Sequence, residues 1–411
     1  MTQSNGTKDA VEAETLAADP VAPAMAARSL SPAVAATLRT TVLPRRQRAE
    51  ASVPAEISVQ ARFERLKKLG EGGIGEVDLA VDHDISRRVA MKRLRGERQD
   101  AASLVRFAEE VRIVGQLEHP GIVPVHDVGV DEAGHYLVMK YVEGETLEAV
   151  IDKLRQGDPG TVARFSISYR VQVFASILEA ISYAHDKGII HRDIKPANIM
   201  IGPHGEVTVM DWGIAKYVSS HEHESVEARS TASTVQDRLI HTQHGALVGT
   251  PLYMSPEQAA GKNTELDVRS DIFSLGVVFA EFLSLRHPLA HKQNMSEILA
   301  ELIAKGIDYG ALVNHGRQNG MPMELAYVLR ESLEHDPKKR YPNVKAMLAH
   351  VRRIQDGEVA VQCHVTAFKR LAYEAIHWVD RHPVPYTLGL MTVVLAGLGG
   401  LGFGVYRLIT H

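Results

Sequence analysis

His191-Arg192-Asp193-Ile194-Lys195-Pro196-Ala197-Asn198, followed by Asp211-Trp212-Gly213, is the most informative stretch of this 411-residue chain. Six residue types at fixed spacing arise by chance on the order of once in tens of millions of starts. Outward toward the N-terminus, short alternating apolar segments cover 63–69, then Val77, Leu79 and Val81, then 89–94, and read as strands. Leu104, Phe107, Val111 and Val114 share one face of a helix. Two more strand-like runs, 122–130 and 136–142, precede Gly144, after which the pattern is mainly helical to about Ile354. A small β-rich lobe followed by a larger helical lobe is an α+β arrangement.

Upstream, Gly70-Glu71-Gly72-Gly73-Ile74-Gly75-Glu76-Val77 is a G-x-G-x-x-G-x-V. Alone it suits any tight turn, because glycine supplies backbone freedom wherever the chain bends. The residues after it discriminate. A dinucleotide site needs a helix there, whereas Val77, Leu79 and Val81 alternate as a strand. Strand–loop–strand is the arrangement of a glycine flap over ATP. One hairpin later, Val89-Ala90-Met91-Lys92 brings a lysine to where it can point under that flap. Glu110 lies one turn from Phe107 and one from Val114, on the apolar face of its helix, while Glu109 points elsewhere. A buried carboxylate is costly unless paired, so a Lys92–Glu110 pair is expected. A second G-x-G-x-x-G, at Gly397, Gly399 and Gly402, sits inside an apolar run and reads as helix packing.

With Gly249-Thr-Pro-Leu-Tyr-Met-Ser-Pro-Glu257, Asp271-Ile-Phe-Ser-Leu-Gly276 and Asp336-Pro-Lys-Lys-Arg340 added, residues 62–354 resemble a eukaryotic-like serine/threonine protein kinase of the bacterial type. The resemblance implies a two-lobed protein kinase fold over 59–355, with ATP and Mg2+ (or Mn2+) as cofactors and protein hydroxyls as substrates. It implies that Asp193 orients the incoming hydroxyl and accepts its proton, and that Lys195 neutralises the moving phosphoryl group. Asn198 and Asp211 would hold the metal, and Lys92, kept by Glu110, would contact the α- and β-phosphates under Gly70, Gly72 and Gly75. Adenine would sit between Val77 and Ala90 above and Met200 below. The linker 140–143, including Val142, would meet its edge, with Met139 behind. Thr250 would brace Asp193 and Lys195, and Glu257 would pair with Arg340. Three departures stand out: Trp212 for a phenylalanine, Lys140 for an acid, Phe273 for a tryptophan. None removes a group that touches phosphate or metal.

The segment 211–257 is long and rich in hydroxyls. Arg192 would pair with a phosphorylated residue of this loop, and Thr242 is the expected autophosphorylation site. His221, His223, His241 and His244 lie in the same loop, without a nearby cysteine, and read as solvated rather than zinc-binding.

Composition is ordinary: 45% hydrophobic, 23% charged, net charge −4. Neither a basic stripe nor a groove-reading motif points to nucleic acid. The single cysteine, Cys363, excludes an intramolecular disulfide. Residues 1–58 read as a disordered tail, without the apolar run of a secretory signal. Residues 356–384 contain an amphipathic stripe of Phe368, Leu371, Ala372, Ala375, Ile376 and Val379. Residues 385–407 are expected to form a transmembrane helix. The 19 positions 387–405 carry no charge, and at 1.5 Å rise they reach about 28 Å, roughly a bilayer core. Lys369, Arg370 and Arg381 before the run, against Arg407 after it, place the kinase side in the cytoplasm of an inner-membrane protein. Ala396, Gly400 and Gly404 recur every fourth residue and suggest a homodimer in the bilayer. The rival readings are a silent scaffold and a small-molecule kinase. The first would be free to lose Lys92, Glu110, Asp193, Asn198 or Asp211; the second needs no segment like 249–257.

Overall fold

The computed structural model describes residues 62–71, 75–94, 101–213, 215–217, 251–292, 294–307 and 321–358, together with single helical positions at Leu371, Ala375, Thr387, Met391 and Ala396. The described residues form the expected α+β pair of lobes. The small lobe holds β1 (Phe63–Glu71), β2 (Gly75–Asp82), β3 (Arg87–Leu94), helix α1 (Ala101–Val114), β4 (Val125–Asp131) and β5 (Gly134–Lys140). Its antiparallel sheet runs in the order β1-β2-β3-β5-β4. Alternation gives that sheet two apolar faces. Ala80, Val89, Met91, Tyr136 and Val138 cluster on one; Leu94 and Leu137 meet Phe107 of α1 on the other.

The large lobe begins at β6 (Glu145–Thr146) and continues with α2 (Leu147–Gln156), α3 (Pro159–Arg164), α4 (Ile167–Asp186), β7 (Ile189–Ile190), β8 (Ile199–Ile201), β9 (Val207–Val209) and β10 (Lys216–Tyr217). Then come α5 (Pro256–Ala259), α6 (Val268–Ser284), α7 (Met295–Ala304), α8 (Met323–Ser332) and α9 (Val344–Gln355). Its helices start where the sequence supplies a capping oxygen: Thr146, Ser166, Asp267 and Asn343 accept from the first turns of α2, α4, α6 and α9. One continuous core surrounds α4 and α6. There Phe174 and Phe279 stack at 3.9 Å between ring centroids, and α6 is buried on every side from Ser270 to Ser284.

Two expectations need correcting. The strand expected over 122–130 begins only at Val125; Ile122 instead makes a parallel bridge to Val209, reaching into the large lobe. The helical region after Gly144 also contains short strands, β6 to β10. At two or three residues each, they are too short for alternation to register in the sequence. Among the described residues no helix is long and apolar enough to cross a membrane. The expected span 385–407 lies outside the described residues, apart from Thr387, Met391 and Ala396, as does most of the amphipathic stripe before it.

Candidate active site

Strand register sets the cleft face of the small lobe. Val77 pairs with Lys92 and Leu79 with Ala90; Ala90 also pairs with Met139, and Lys92 with Leu137. Directly opposed residues share a face, as do residues two apart on one strand. Val77, Ala90, Lys92 and Met139 therefore face the same way. Gly70 pairs with Val77 at the end of β1, and no described residue lies within 4 Å of where a Cβ would project. Gly75 has none: a Cβ there would lie 2.2 Å from the Arg93 carbonyl oxygen, so the approach of β2 to β3 requires glycine. Gly72 lies outside the described residues. Val142 follows β5 in the linker and Met200 lies on β8 between Thr146 and Thr208; both are half-buried.

Lys92 joins the two lobes. Its Nζ is 2.5 Å from Glu110 Oε1 and 3.3 Å from Asp211 Oδ1. The carboxylate expected from the apolar face of α1 is thus the one that meets the lysine, and it is buried. Burial opposes the charge on Lys92, but Asp211 and Glu110 together outweigh it and raise its pKa above the ordinary lysine value. In return, the Lys92 ammonium holds the Asp211 carboxyl down at about 2. Asp211 takes a left-handed backbone conformation, φ 58°. A Cβ on Gly213 would lie 3.2 Å from both Asp211 Oδ1 and Glu110 Oε2, so glycine leaves room for both carboxylates.

The loop 191–198 between β7 and β8 is fastened from below. Asp271, in the first turn of α6, accepts the N–H of His191 at Oδ2 and of Arg192 at Oδ1, both at 2.8 Å. His185 Nε2 also lies 2.8 Å from Asp271 Oδ2. Arg192 is held at φ 68°, a conformation that is unfavourable for a residue with a Cβ. The Asp193 N–H donates to His191 Nδ1 at 3.3 Å, which leaves His191 Nε2–H to donate to the Met210 carbonyl at 3.1 Å. Trp212 packs on the His191 ring with centroids 4.5 Å apart. It is buried, and among the described residues its indole nitrogen has no hydrogen-bond partner.

Asp193 is buried, with Lys195 Nζ 2.9 Å from its Oδ2. Asn198 Nδ2 donates to the Asp193 carbonyl at 2.9 Å. That bond fixes the orientation of the amide and keeps Oδ1 as the atom a cation would meet. An ionised carboxylate at 211 and an amide oxygen at 198 form an all-oxygen donor pair, which suits Mg2+. The residues present therefore fit a metal-bound nucleotide.

Below the cleft, the Glu257–Arg340 pair is bidentate at 2.8 and 2.9 Å. Phe273 lies under the guanidinium, 4.8 Å from Arg340 Cζ to the ring centroid. Sequence reasoning gave no role to Asp271, nor to Glu281. The Tyr253 hydroxyl donates to Glu281 Oε2 at 2.5 Å, and Arg155 pairs with the same carboxylate, tying the segment after residue 250 to α6 and α2. The available signal was an acid within an otherwise apolar helix, which needs a partner when buried. Thr250, Thr242 and the loop histidines 221, 223, 241 and 244 lie outside the described residues.

The sequence profile of the protein kinase domain matches residues 63–351. The serine/threonine-protein kinase PknD of Protochlamydia amoebophila is 32% identical over 300 residues, covering 72% of this chain and 30% of that protein. The protein of the same name from Chlamydia caviae is 34% identical over 302 residues, covering 72% and 31%. The chain thus spans about a third of the length of the curated relatives it matches.

Proposed function

The chain belongs to the protein kinase family, and from that premise we propose that it is an ATP-dependent serine/threonine kinase acting on proteins. The observation that carries the proposal is the junction of Lys92 with Glu110 and Asp211, beside a buried Asp193 paired with Lys195. When bound, Mg·ATP supplies the phosphoryl group and the divalent charge. Asn198 and Asp211 hold the metal, and Lys92 meets the α- and β-phosphates. Asp193 orients the substrate hydroxyl and takes its proton as the hydroxyl oxygen bonds to the γ-phosphorus and the bond to the ADP oxygen breaks. Lys195 keeps Asp193 in place and offsets charge on the group in flight. Val77, Ala90, Met139, Val142 and Met200 enclose the adenine between the lobes. Lys195, two positions after the aspartate, resembles the serine/threonine class rather than the tyrosine class. The long, hydroxyl-rich stretch of sequence before residue 251 supports autophosphorylation, with Thr242 as the site.

The same proposal includes the membrane. The uncharged run 387–405 and the helical positions within it, Thr387, Met391 and Ala396, support a single span with the kinase on the cytoplasmic side. Ala396, Gly400 and Gly404 support pairing of two such spans.

The test is transfer of labelled phosphate from Mg·ATP to a generic protein by the full chain, with Asp193→Asn as control and phosphoamino-acid analysis of the product. Label on serine and threonine that disappears in Asp193→Asn is expected. No label from a nucleotide-binding wild type would overturn the reading. Recovery of the full chain, but not of residues 1–384, in membranes resistant to carbonate extraction tests the span.

A further inference from the structure

Gln258 lies in α5, one residue after the Glu257 that pairs with Arg340, and it is buried. Its side chain is committed at both ends. Oε1 accepts the Ser255 N–H at 3.0 Å and the Ser255 hydroxyl at 3.1 Å. Nε2 donates to the Arg192 carbonyl at 2.8 Å. The backbone partners fix the amide orientation: a main-chain N–H can be met only by the oxygen and a main-chain carbonyl only by the nitrogen. The Ser255 hydroxyl also accepts the Gln258 N–H at 3.4 Å, closing a capping box around the short helix.

The contact at Arg192 bears on chemistry because of which peptide group it holds. The Arg192 carbonyl and the Asp193 N–H belong to one peptide plane. Its N–H side is held by His191 Nδ1 and its C=O side by Gln258 Nε2. One residue earlier, Asp271 Oδ1 holds the Arg192 N–H. Arg192 sits at φ 68°, so this plane has a lower-energy alternative and keeps its direction only while its neighbours enforce it. Gln258 is buried like His191 and Asp271, but it follows directly on the segment 249–257, described from 251, to which the protein-kinase resemblance gives peptide binding.

We infer that Gln258 is a positioning residue, which orients the Arg192–Asp193 peptide plane and so couples order in the substrate-binding segment to the placement of the Asp193 carboxylate. The inference rests on the kinase reading above. Order at 251–257 brings the Gln258 amide to the Arg192 carbonyl; disorder there releases the plane and lets Asp193 turn away from the hydroxyl.

The experiment compares full-length wild type, Gln258→Leu and Gln258→Glu for phosphate transfer from Mg·ATP to a generic protein, with KM for ATP and melting temperature measured alongside. Gln258→Glu keeps an acceptor for the Ser255 N–H and, when ionised, loses the donor to Arg192. It covers the case in which the leucine variant fails to fold. Small displacements of a reacting group cost about a hundredfold in rate. Both Gln258 variants are therefore expected to lose roughly tenfold to a hundredfold in kcat, with KM for ATP within about twofold. Gln258 variants with wild-type kcat, or with a kcat loss matched by an equal rise in KM for ATP, would overturn the inference while leaving the kinase reading intact. An inactive wild type would overturn both.

Discussion

Arg340 and Lys92 each meet a buried glutamate, and they end in opposite situations. Arg340 has every N–H engaged: Nε on the Glu334 carbonyl, Nη1 on Glu257 Oε1 and the Arg269 carbonyl, Nη2 on Glu257 Oε2 and the His335 carbonyl, all between 2.7 and 3.1 Å. Glu257 Oε1 also accepts from Ser270 at 2.8 Å. Lys92 divides its ammonium between Glu110 and Asp211, while among the described residues the buried Glu110 Oε2 has no partner. Asp211 itself is half-exposed at 49%. An unmet buried acceptor costs about 1–3 kcal/mol. The saturated pair acts as a fastener for the large lobe, whereas the other shares one ammonium between a buried carboxylate of the small lobe and a half-exposed one of the large lobe.

The comparison makes graded predictions. Arg340→Met strands Glu257 in the core and should cost about 3–5 kcal/mol of unfolding free energy, read by denaturant titration; a loss under about 1 kcal/mol would break the contrast. Lys92→Met should lower phosphate transfer by about a hundredfold to a thousandfold; a loss under about tenfold would remove Lys92 from the phosphates. The smallest effect concerns pH. The Asp211 carboxyl is held at about 2 against an ordinary value of 3.8. A lowered folded-state pKa gives stability that is fully present above about pH 4 and is lost as pH falls toward 2. Because the side chain is half-exposed, screening should keep this below about 1 kcal/mol. Denaturation of wild type and Asp211→Asn between pH 5 and 2.5 should show their difference shrinking as pH falls. A constant difference would remove Asp211 from the charge balance of the cleft.

Much of the small lobe was legible because its strands are long enough to alternate and because Glu110 violates the apolar face of its helix. Lys92–Glu110 and Glu257–Arg340 were both expected, the first from residue placement and the second from family resemblance. What escaped were contacts whose sequence signal is one residue deep. Glu281 is an acid in the apolar second half of α6 with nothing in its spacing to assign it the Tyr253 hydroxyl, and Asp271, though it heads the quoted run 271–276, carries no sign that it holds the His191 and Arg192 amides. The short strands β6 to β10 escaped for a related reason. Two or three residues cannot express a period, and such strands form only because the lobe around them supplies pairing partners.

The most direct measurement is a structure of the protein with Mg2+ and a non-hydrolysable ATP analogue. The account predicts a metal about 2.1 Å from Asn198 Oδ1 and an Asp211 carboxylate oxygen, a phosphate oxygen on Lys92 Nζ, and Asp193 facing the γ-phosphate. Nucleotide bound away from the cleft, or a metal held by other residues while Asn198 and Asp211 stay as they are, would contradict it.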